Sequence, residues 1–179
     1  LPFGGRTLKA DLVRGLSVPY AEAQKAKEHY ATAFAQLVDP RETVEVPGPS
    51  PGQKRAVARE LIAHIIEQRL DEMFGLVQGE LQDRDLIDNL GAGVVLTGGT
   101  VAIPGIVELA QQIFASPVRL GVPNEGLSGL AESVQRPQFA IATGLALWGA
   151  DRFMETGRGA STITSGMFTK LGTWLKEFF

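Results

Sequence analysis

A pair of adjacent glycines follows a short apolar run near the middle of the chain. The run ends at Leu96, Thr97 comes next, and Gly98 and Gly99 precede Thr100. Glycines after a strand let the backbone approach a ligand that any Cβ would exclude, and free N–H groups at a helix start attract negative charge. The spacing is also typical of a purely structural turn, because a loose glycine motif is weak evidence for a ligand. Both interpretations stay open at this level.

Other kinds of catalytic or metal chemistry have few residues to carry them. The chain has no cysteine, which excludes disulfides, thiolate nucleophiles and cysteine-based metal sites. His29 and His64 are the only histidines, and we expect no carboxylate or histidine at a ligand spacing from either, so no zinc site is predicted. A serine triad would need one of these histidines, and no Gly-x-Ser-x-Gly elbow is present.

Composition limits the classes of partner. The 179 residues suit one domain or one lobe of a larger molecule. A net charge of −3 gives no basic field for nucleic acid, so no nucleic-acid partner is expected. No apolar run reaches the roughly 18 residues of a spanning helix, and the first residues do not form a signal peptide. The chain does not begin with methionine, and we interpret it as a fragment or a truncated protein.

Periodicity predicts the elements that would position the glycine turn. The predicted helices cover residues 7 to about 16, 20 to about 37, 59 to about 86, 106 to about 114, and 138 to about 149. The predicted strands cover 44–46 and 54–57, as a hairpin around a Pro/Gly loop, then 93–96 and 118–120. The longest helix carries one broad apolar stripe: Leu61, Ile62, Ile65, Ile66, Leu70, Met73, Phe74 and Val77.

The end of the chain changes character. Residues 155–166 are rich in Gly, Ser and Thr without periodicity, which predicts a flexible linker. Residues 167–179 predict an amphipathic helix with lysines Lys170 and Lys176 opposite this apolar stripe: Met167, Phe168, Leu171, Trp174, Leu175, Phe178 and Phe179. Aromatic anchors on one face and lysines on the other suit an interfacial membrane helix. Most amphipathic helices instead pack on their own core, but the linker favours the membrane.

The motifs together resemble a known superfamily. Val-Val-Leu-Thr-Gly-Gly at 94–99 with Ile-Pro-Gly at 103–105 is similar to the adenosine motif of actin, the sugar kinases and the heat-shock chaperones. Gly-Gly at 4–5 and the Glu-x-x-Lys at 22–25 resemble that superfamily too. Val-Glu-Val-Pro at 44–47, Arg-Glu-Leu-Ile at 59–62, Val-Arg-Leu-Gly-Val-Pro at 118–123 and Ala-x-Gly-Leu at 142–145 resemble the bacterial cell-division family FtsA, nearly end to end.

The resemblance implies a fold and a division into parts. The fold class would be α/β: the second lobe of an actin-like, ribonuclease H-like ATPase, lacking its first strands, plus a C-terminal amphipathic helix. Residues 1–30 and 90–154 would form the lower subdomain of that lobe. Residues 31–89 would form the upper, partner-binding subdomain, followed by the linker at 155–166 and the membrane-targeting helix at 167–179.

The resemblance also implies site residues. ATP with Mg²⁺ would bind in the full-length protein at Glu22, Lys25, Gly98, Gly99, Thr100 and Ile103. The acidic C-terminal tail of FtsZ would meet Arg55, Arg59 and Arg69, which are equally consistent with a solvated helix face. The superfamily's phosphate-binding hairpins and catalytic carboxylates precede this segment. We therefore expect no catalytic residue and no metal ligand here, and at most weak ATPase activity in the full-length protein.

The implied function is a cell-division adaptor. It would tether the FtsZ ring to the cytoplasmic face of the bacterial inner membrane at the division site. Its partners would be FtsZ, membrane lipids, other division proteins and further copies of itself in actin-like filaments. Two alternatives are an actin-like protein of type IV pilus assembly and a sugar or metabolite kinase of the same superfamily. The terminal helix argues against the first, and the second needs a catalytic base that this segment does not supply.

Overall fold

The computed structural model describes residues 3–50, 52–123, 127 and 131–155. Within them the chain alternates helices with two small sheets. The helices are α1 (Gly5–Leu16), α2 (Tyr20–Tyr30), α3 (Arg59–Asp83), α4 (Ile106–Phe114) and α5 (Ala140–Glu155). The strands are β1 (Thr43–Pro47), β2 (Lys54–Ala58), β3 (Val94–Leu96) and β4 (Val118–Leu120). The predicted order of helices and strands is therefore confirmed.

The largest fully buried side chains belong to α1 and α3. Leucines at every fourth position of α1 share one face and are almost completely buried: Leu8, Leu12 and Leu16. They belong to the same apolar cluster as three buried residues of α3, Ile62, Ile66 and Leu70. Each such side chain contributes about 1.5–3 kcal/mol by leaving water. The helices approach closely where a Cβ on Gly15 would lie 2.5 Å from the Cδ1 atom of Ile65.

The β1–β2 hairpin covers one end of this core. The strands are antiparallel, with Val44 opposite Val57, and these two valines are buried together with Val46. On the exposed side, Lys54 Nζ lies 2.8 Å from Glu45 Oε2. That hydrogen bond, and the charge of Glu45, raise the pKa of Lys54. The predicted hairpin is confirmed.

The sheet of β3 and β4, together with α4, carries the glycine turn. β3 and β4 are parallel, with Val94 opposite Val118, and α4 lies between them along the chain. Phe114 at the end of α4 meets Phe74 of α3 edge to face, with ring centroids 5.8 Å apart. This contact joins α4 and its sheet to α3. Because α3 packs against α1 and α2 in the main apolar cluster, the turn after β3 has a fixed place relative to these helices.

The second helix is shorter than predicted. It ends at Tyr30, not near residue 37, because Ala31 is extended with a ψ of 142°. The backbone N–H of Ala33 donates to the Pro104 carbonyl at 2.8 Å, and the Thr32 hydroxyl donates to the same oxygen at 3.3 Å. These tertiary bonds replace the helical ones, and the buried Ala33 packs in the core.

Three further expectations need correction. The helix α3 ends at Asp83 rather than near residue 86, followed by Asp85 at a φ of 54°. Its apolar stripe is narrower than predicted, because Leu61 and Val77 are exposed at 44% and 38%. The helix α5 begins at Ala140 rather than 138 and continues beyond 149 to Glu155, the first residue of the predicted linker.

Other predicted boundaries are not tested by these residues. Residues 156–166 of the predicted linker and the predicted helix at 167–179 lie outside the described residues. The apolar cluster around α1 and α3 includes residues of both predicted subdomains, and the division at 30/31 and 89/90 stays a prediction. None of the described helices is long and apolar enough to cross a membrane.

Candidate functional site

The turn after β3 is fixed by two loops. The Thr97 hydroxyl lies 3.0 Å from the Gly121 carbonyl oxygen and 3.1 Å from that of Pro137, so its proton has two acceptors. The N–H of Gly98 donates to the Pro137 carbonyl at 2.9 Å. Gly98 has a φ of 97°, a conformation that side chains with a Cβ rarely adopt. The glycine at this position is therefore required by the backbone itself.

Open space lies in front of both glycines. A Cβ built on Gly98 or Gly99 would have no described atom within 4 Å. Thr100 follows in a short 3₁₀ turn and is half-buried. Ile103, in contrast, is 7% exposed and belongs to the core, so its side chain supports the turn. The predicted ligand wall therefore has exposed backbone at the glycine pair, and the contacts of Thr100 and Ile103 with a nucleotide stay predictions.

Glu22 and Lys25 form an ion pair with each other. Lys25 Nζ lies 2.8 Å from Glu22 Oε1, and the side chain of Lys25 is 64% exposed. Glu22 also lines a cavity of about 400 Å³ together with the β1–β2 hairpin, including Val46 and Lys54. Among the described residues, no hydrogen bond or ion pair connects Glu22 or Lys25 to the segment 98–100.

Another lysine of α2 lies near the glycine turn. A Cβ built on Gly5, the first residue of α1, would be 2.9 Å from Thr100 Oγ1 and 3.5 Å from Lys27 Nζ. The three residues come from α1, α2 and the turn after β3, so only the tertiary structure brings them together. Lys27 carries no sequence signal for this position, because nothing in its local pattern indicates a neighbour so distant in the chain.

Two of the predicted partner-binding arginines bind backbone carbonyls inside the chain. Arg55 donates to the carbonyl of Leu16 at the end of α1. Arg59 Nη1 lies 2.8 Å from Glu42 Oε2, and its Nε donates to the Tyr30 carbonyl at 3.3 Å. Both guanidinium groups therefore stabilise the junction of the hairpin with α1 and α2.

The third arginine joins α3 to α1. Arg69 forms a two-point ion pair with Asp11, in which Nη2 lies 2.9 Å from Oδ1, and it also contacts Glu72. The hydrogen bond to Asp11 raises the pKa of Arg69. A groove of about 390 Å³ runs beside this pair and is also lined by Arg14 and Gln68. The three predicted arginines thus have internal partners, and their contact with an acidic tail stays a prediction.

The expectation that no carboxylate lies near His64 was wrong. His64 lies between two carboxylates on α3, with Glu60 at 3.7 Å and Glu67 at 3.8 Å, the i−4 and i+3 neighbours along the helix. Glu67 also accepts a hydrogen bond from the N–H of Ala35 at 3.2 Å. In the part of the chain that the structure describes, no group of His, Asp or Glu side chains is arranged to hold a metal ion.

Comparison with known families decides the identity at family level. A family model described as cell division protein FtsA matches residues 1–144. The chain belongs to the FtsA family. It is 39% identical over 166 residues to FtsA of Pseudomonas aeruginosa, covering 93% of this chain and 39% of the relative. FtsA of Neisseria meningitidis is 41% identical over 146 residues, covering 81% and 35%. FtsA of Escherichia coli K12 is 29% identical over 184 residues, covering 99% and 43%.

The FtsA relatives are longer than this chain, which spans about two-fifths of their length. Solved structures identify the fold. MreB5 of Spiroplasma citri bound to ADP matches with a TM-score of 0.63 at 14% identity, covering 89% of this chain and 48% of that protein. The same protein bound to AMPPNP matches with a TM-score of 0.61 at 15% identity, covering 88% and 47%. The chain is therefore a mixed helix and sheet segment of an actin-like ATPase fold, as the sequence predicted.

Proposed function

We propose that the full-length protein is a cell-division adaptor that tethers the FtsZ ring to the cytoplasmic face of the bacterial cell membrane at the division site. The observation that carries this proposal is the FtsA family match over residues 1–144. The protein would bind ATP, assemble with further copies of itself, and contact FtsZ, membrane lipids and other division proteins. The family match also argues against the pilus-assembly and sugar-kinase alternatives.

The membrane step would use residues 167–179. Their sequence places Trp174 at the centre of an apolar stripe and Thr173 on the opposite face of a helix. Each buried CH₂ group contributes about 0.8 kcal/mol to insertion, and Trp prefers the headgroup boundary. Lys170 and Lys176 against Glu177 give only weak attraction to anionic lipid, so apolar insertion would supply most of the binding.

Vesicle binding tests the membrane step. Deleting residues 167–179 should release the protein from phosphatidylglycerol-containing vesicles without lowering its melting temperature. Trp174→Glu should weaken binding by about 10-fold or more, since a carboxylate replaces the central anchor, whereas the control Thr173→Glu should change it little. In a Trp148→Phe background, the remaining Trp174 fluorescence should shift to the blue on vesicles. Persistent vesicle binding after the deletion, with a lower melting temperature, would identify a core helix and contradict the proposal.

The nucleotide step would use the turn after β3. The open space in front of Gly98 and Gly99 fits a bound nucleotide, because the backbone there can approach a ligand without a clash. Both MreB5 neighbours were crystallised with a nucleotide, which supports the same proposal for this actin-like fold. When bound, Mg²⁺ would neutralise phosphate charge. The described residues offer no acidic cluster to hold the ion, so its ligands would lie elsewhere in the full-length protein.

A single glycine substitution tests the nucleotide step. Gly99→Val in the full-length protein should abolish ATP binding, because the new side chain would fill the space that the ligand needs. The fold should survive, since the structure leaves that space open and Gly99 has an ordinary φ. Gly91→Val is the matched control, because Gly91 is also exposed and unhindered but lies outside the turn. Calorimetric titration that finds equal ATP affinity in a folded Gly99→Val protein would remove this site.

The FtsZ step would use cationic side chains of the hairpin and α3. Arg59 keeps about a quarter of its side chain exposed beside Glu42, so it can meet an acidic peptide from outside. Arg59→Glu should weaken binding of an FtsZ tail peptide, and the loss should shrink as salt rises. Arg84→Glu is the control just beyond the end of α3, because Arg84 also pairs with a carboxylate, that of Glu80. If Arg59→Glu and Arg84→Glu weakened peptide binding equally, the peptide site would lie elsewhere.

A further inference from the structure

Lys27 is a basic side chain of α2 that lies near the glycine turn. Its Nζ and the Oγ1 of Thr100 lie within 3.5 Å and 2.9 Å of the same point, the ideal Cβ position of Gly5. Lys27 is half-buried, and among the described residues its ammonium forms no hydrogen bond or ion pair. A cation that has lost part of its hydration without gaining a partner is unfavourable, so an anion at this position would lower its energy.

Lys25 is placed differently on the same helix. Two residues along an α-helix correspond to a rotation of about 200°, so Lys25 and Lys27 point to nearly opposite sides of α2. Lys25 is largely exposed, and its charge is already paired with Glu22 at 2.8 Å. Lys27 lies at the edge of the buried face that contains Ala23 and Ala26. Only one of the two lysines therefore combines a location near Thr100 with an unpaired charge.

We propose that Lys27, rather than Lys25, binds the phosphate groups of the nucleotide, an inference that rests on the nucleotide binding proposed above. The ammonium of Lys27 and the hydroxyl of Thr100 lie near one point, and Thr100 is next in sequence to the exposed Gly99. Lys is a point charge with three donors and binds phosphate without a fixed orientation. Phosphate is the part of a nucleotide that carries negative charge, so Lys27 distinguishes nucleotides by their phosphates and not by their base.

Paired variants of the two lysines test this assignment in the full-length protein. Binding of ATP and of adenosine is measured by calorimetry for Lys27→Gln and Lys25→Gln. Lys27→Gln should weaken ATP binding by about 10-fold or more and change adenosine binding by less than about 2-fold, because a charge-assisted hydrogen bond is lost only with the phosphates. Lys25→Gln should not weaken ATP binding more than adenosine binding, because its charge is paired with Glu22 and away from Thr100. Lys27→Arg keeps the charge and should retain most of the ATP affinity.

Each other outcome has a defined meaning. If Lys27→Gln binds ATP like the unchanged protein while Gly99→Val abolishes binding, the site stands and the role of Lys27 is refuted. A loss of adenosine affinity equal to the loss of ATP affinity would also refute a phosphate contact. The same selective loss of ATP affinity in Lys25→Gln would refute the distinction between the lysines. If the unchanged full-length protein binds no ATP, the proposed nucleotide function fails first. Melting temperatures show whether each variant is folded. If Lys27→Gln does not fold, ATP and adenosine binding are compared in Lys27→Arg instead.

Discussion

The ion pair between Arg69 and Asp11 makes a quantitative prediction about the α1–α3 contact. The two side chains are 23% and 15% exposed, so the pair is intermediate between surface and buried ion pairs. Exposed pairs contribute about 0.2–1 kcal/mol, and breaking a buried one costs about 3–5 kcal/mol. For Arg69→Met we expect a loss of about 1.5–3 kcal/mol, because Asp11 loses a two-point contact but remains partly hydrated. In a chain of this size that corresponds to a decrease in melting temperature of about 3–12 °C.

A double-mutant cycle isolates the pair. The free energy of unfolding is measured by urea titration for Arg69→Met, Asp11→Asn and the double variant. We expect the coupling energy to exceed about 1 kcal/mol, since residues that share a hydrogen bond do not behave additively. Glu72→Gln is the control, because Glu72 contacts the same guanidinium from an exposed position. A coupling energy below about 0.5 kcal/mol, the level found for independent sites, would show that the pair does not hold the helices together.

The same pair separates a structural role of Arg69 from the proposed role in binding FtsZ. A charge swap, Asp11→Arg with Arg69→Asp, should recover part of the stability because the two charges still meet between α1 and α3. The peptide affinity of this variant then reports on the position of the positive charge. Recovered stability with lost affinity supports a direct contact of Arg69 with the peptide. If the charge swap recovered both stability and peptide affinity, the role of Arg69 would be structural alone.

Two further substitutions test the packing around the site. Gly93→Ala should cost about 2–4 kcal/mol in urea unfolding, because its φ is 81° and a Cβ would lie 2.3 Å from the Pro117 carbonyl oxygen. Gly91→Ala, two residues away with open space around it, should change stability by less than about 0.5 kcal/mol, and similar losses in both variants would contradict this account. Ile66→Ala should cost about 2–5 kcal/mol as a buried truncation, whereas Leu76→Ala on the exposed side of α3 should cost under about 1 kcal/mol; equal costs would refute the assigned faces.

The sequence alone determined the elements whose signals are local. The i, i+4 spacing of Leu8, Leu12 and Leu16 predicted the buried face of α1, because helical periodicity depends only on neighbours. The glycine turn after β3 was also predicted from the sequence. The structure agrees, because Gly98 adopts a φ that favours glycine. The motifs along the chain were sufficient to predict the family and the actin-like fold, which the comparisons confirmed.

Tertiary structure decided what local pattern could not. The Ala-rich sequence after Tyr30 favoured a longer helix, but bonds from Thr32 and Ala33 to Pro104 ended it, and Pro104 is remote in sequence. In the same way the position of Lys27 near Thr100 depends on where α1 and the turn after β3 meet α2. Propensity and spacing act within a few residues, whereas burial, ion pairing and hydrogen-bond partners depend on which elements pack together. The elements followed from the sequence, and the partners of their polar side chains followed from the fold.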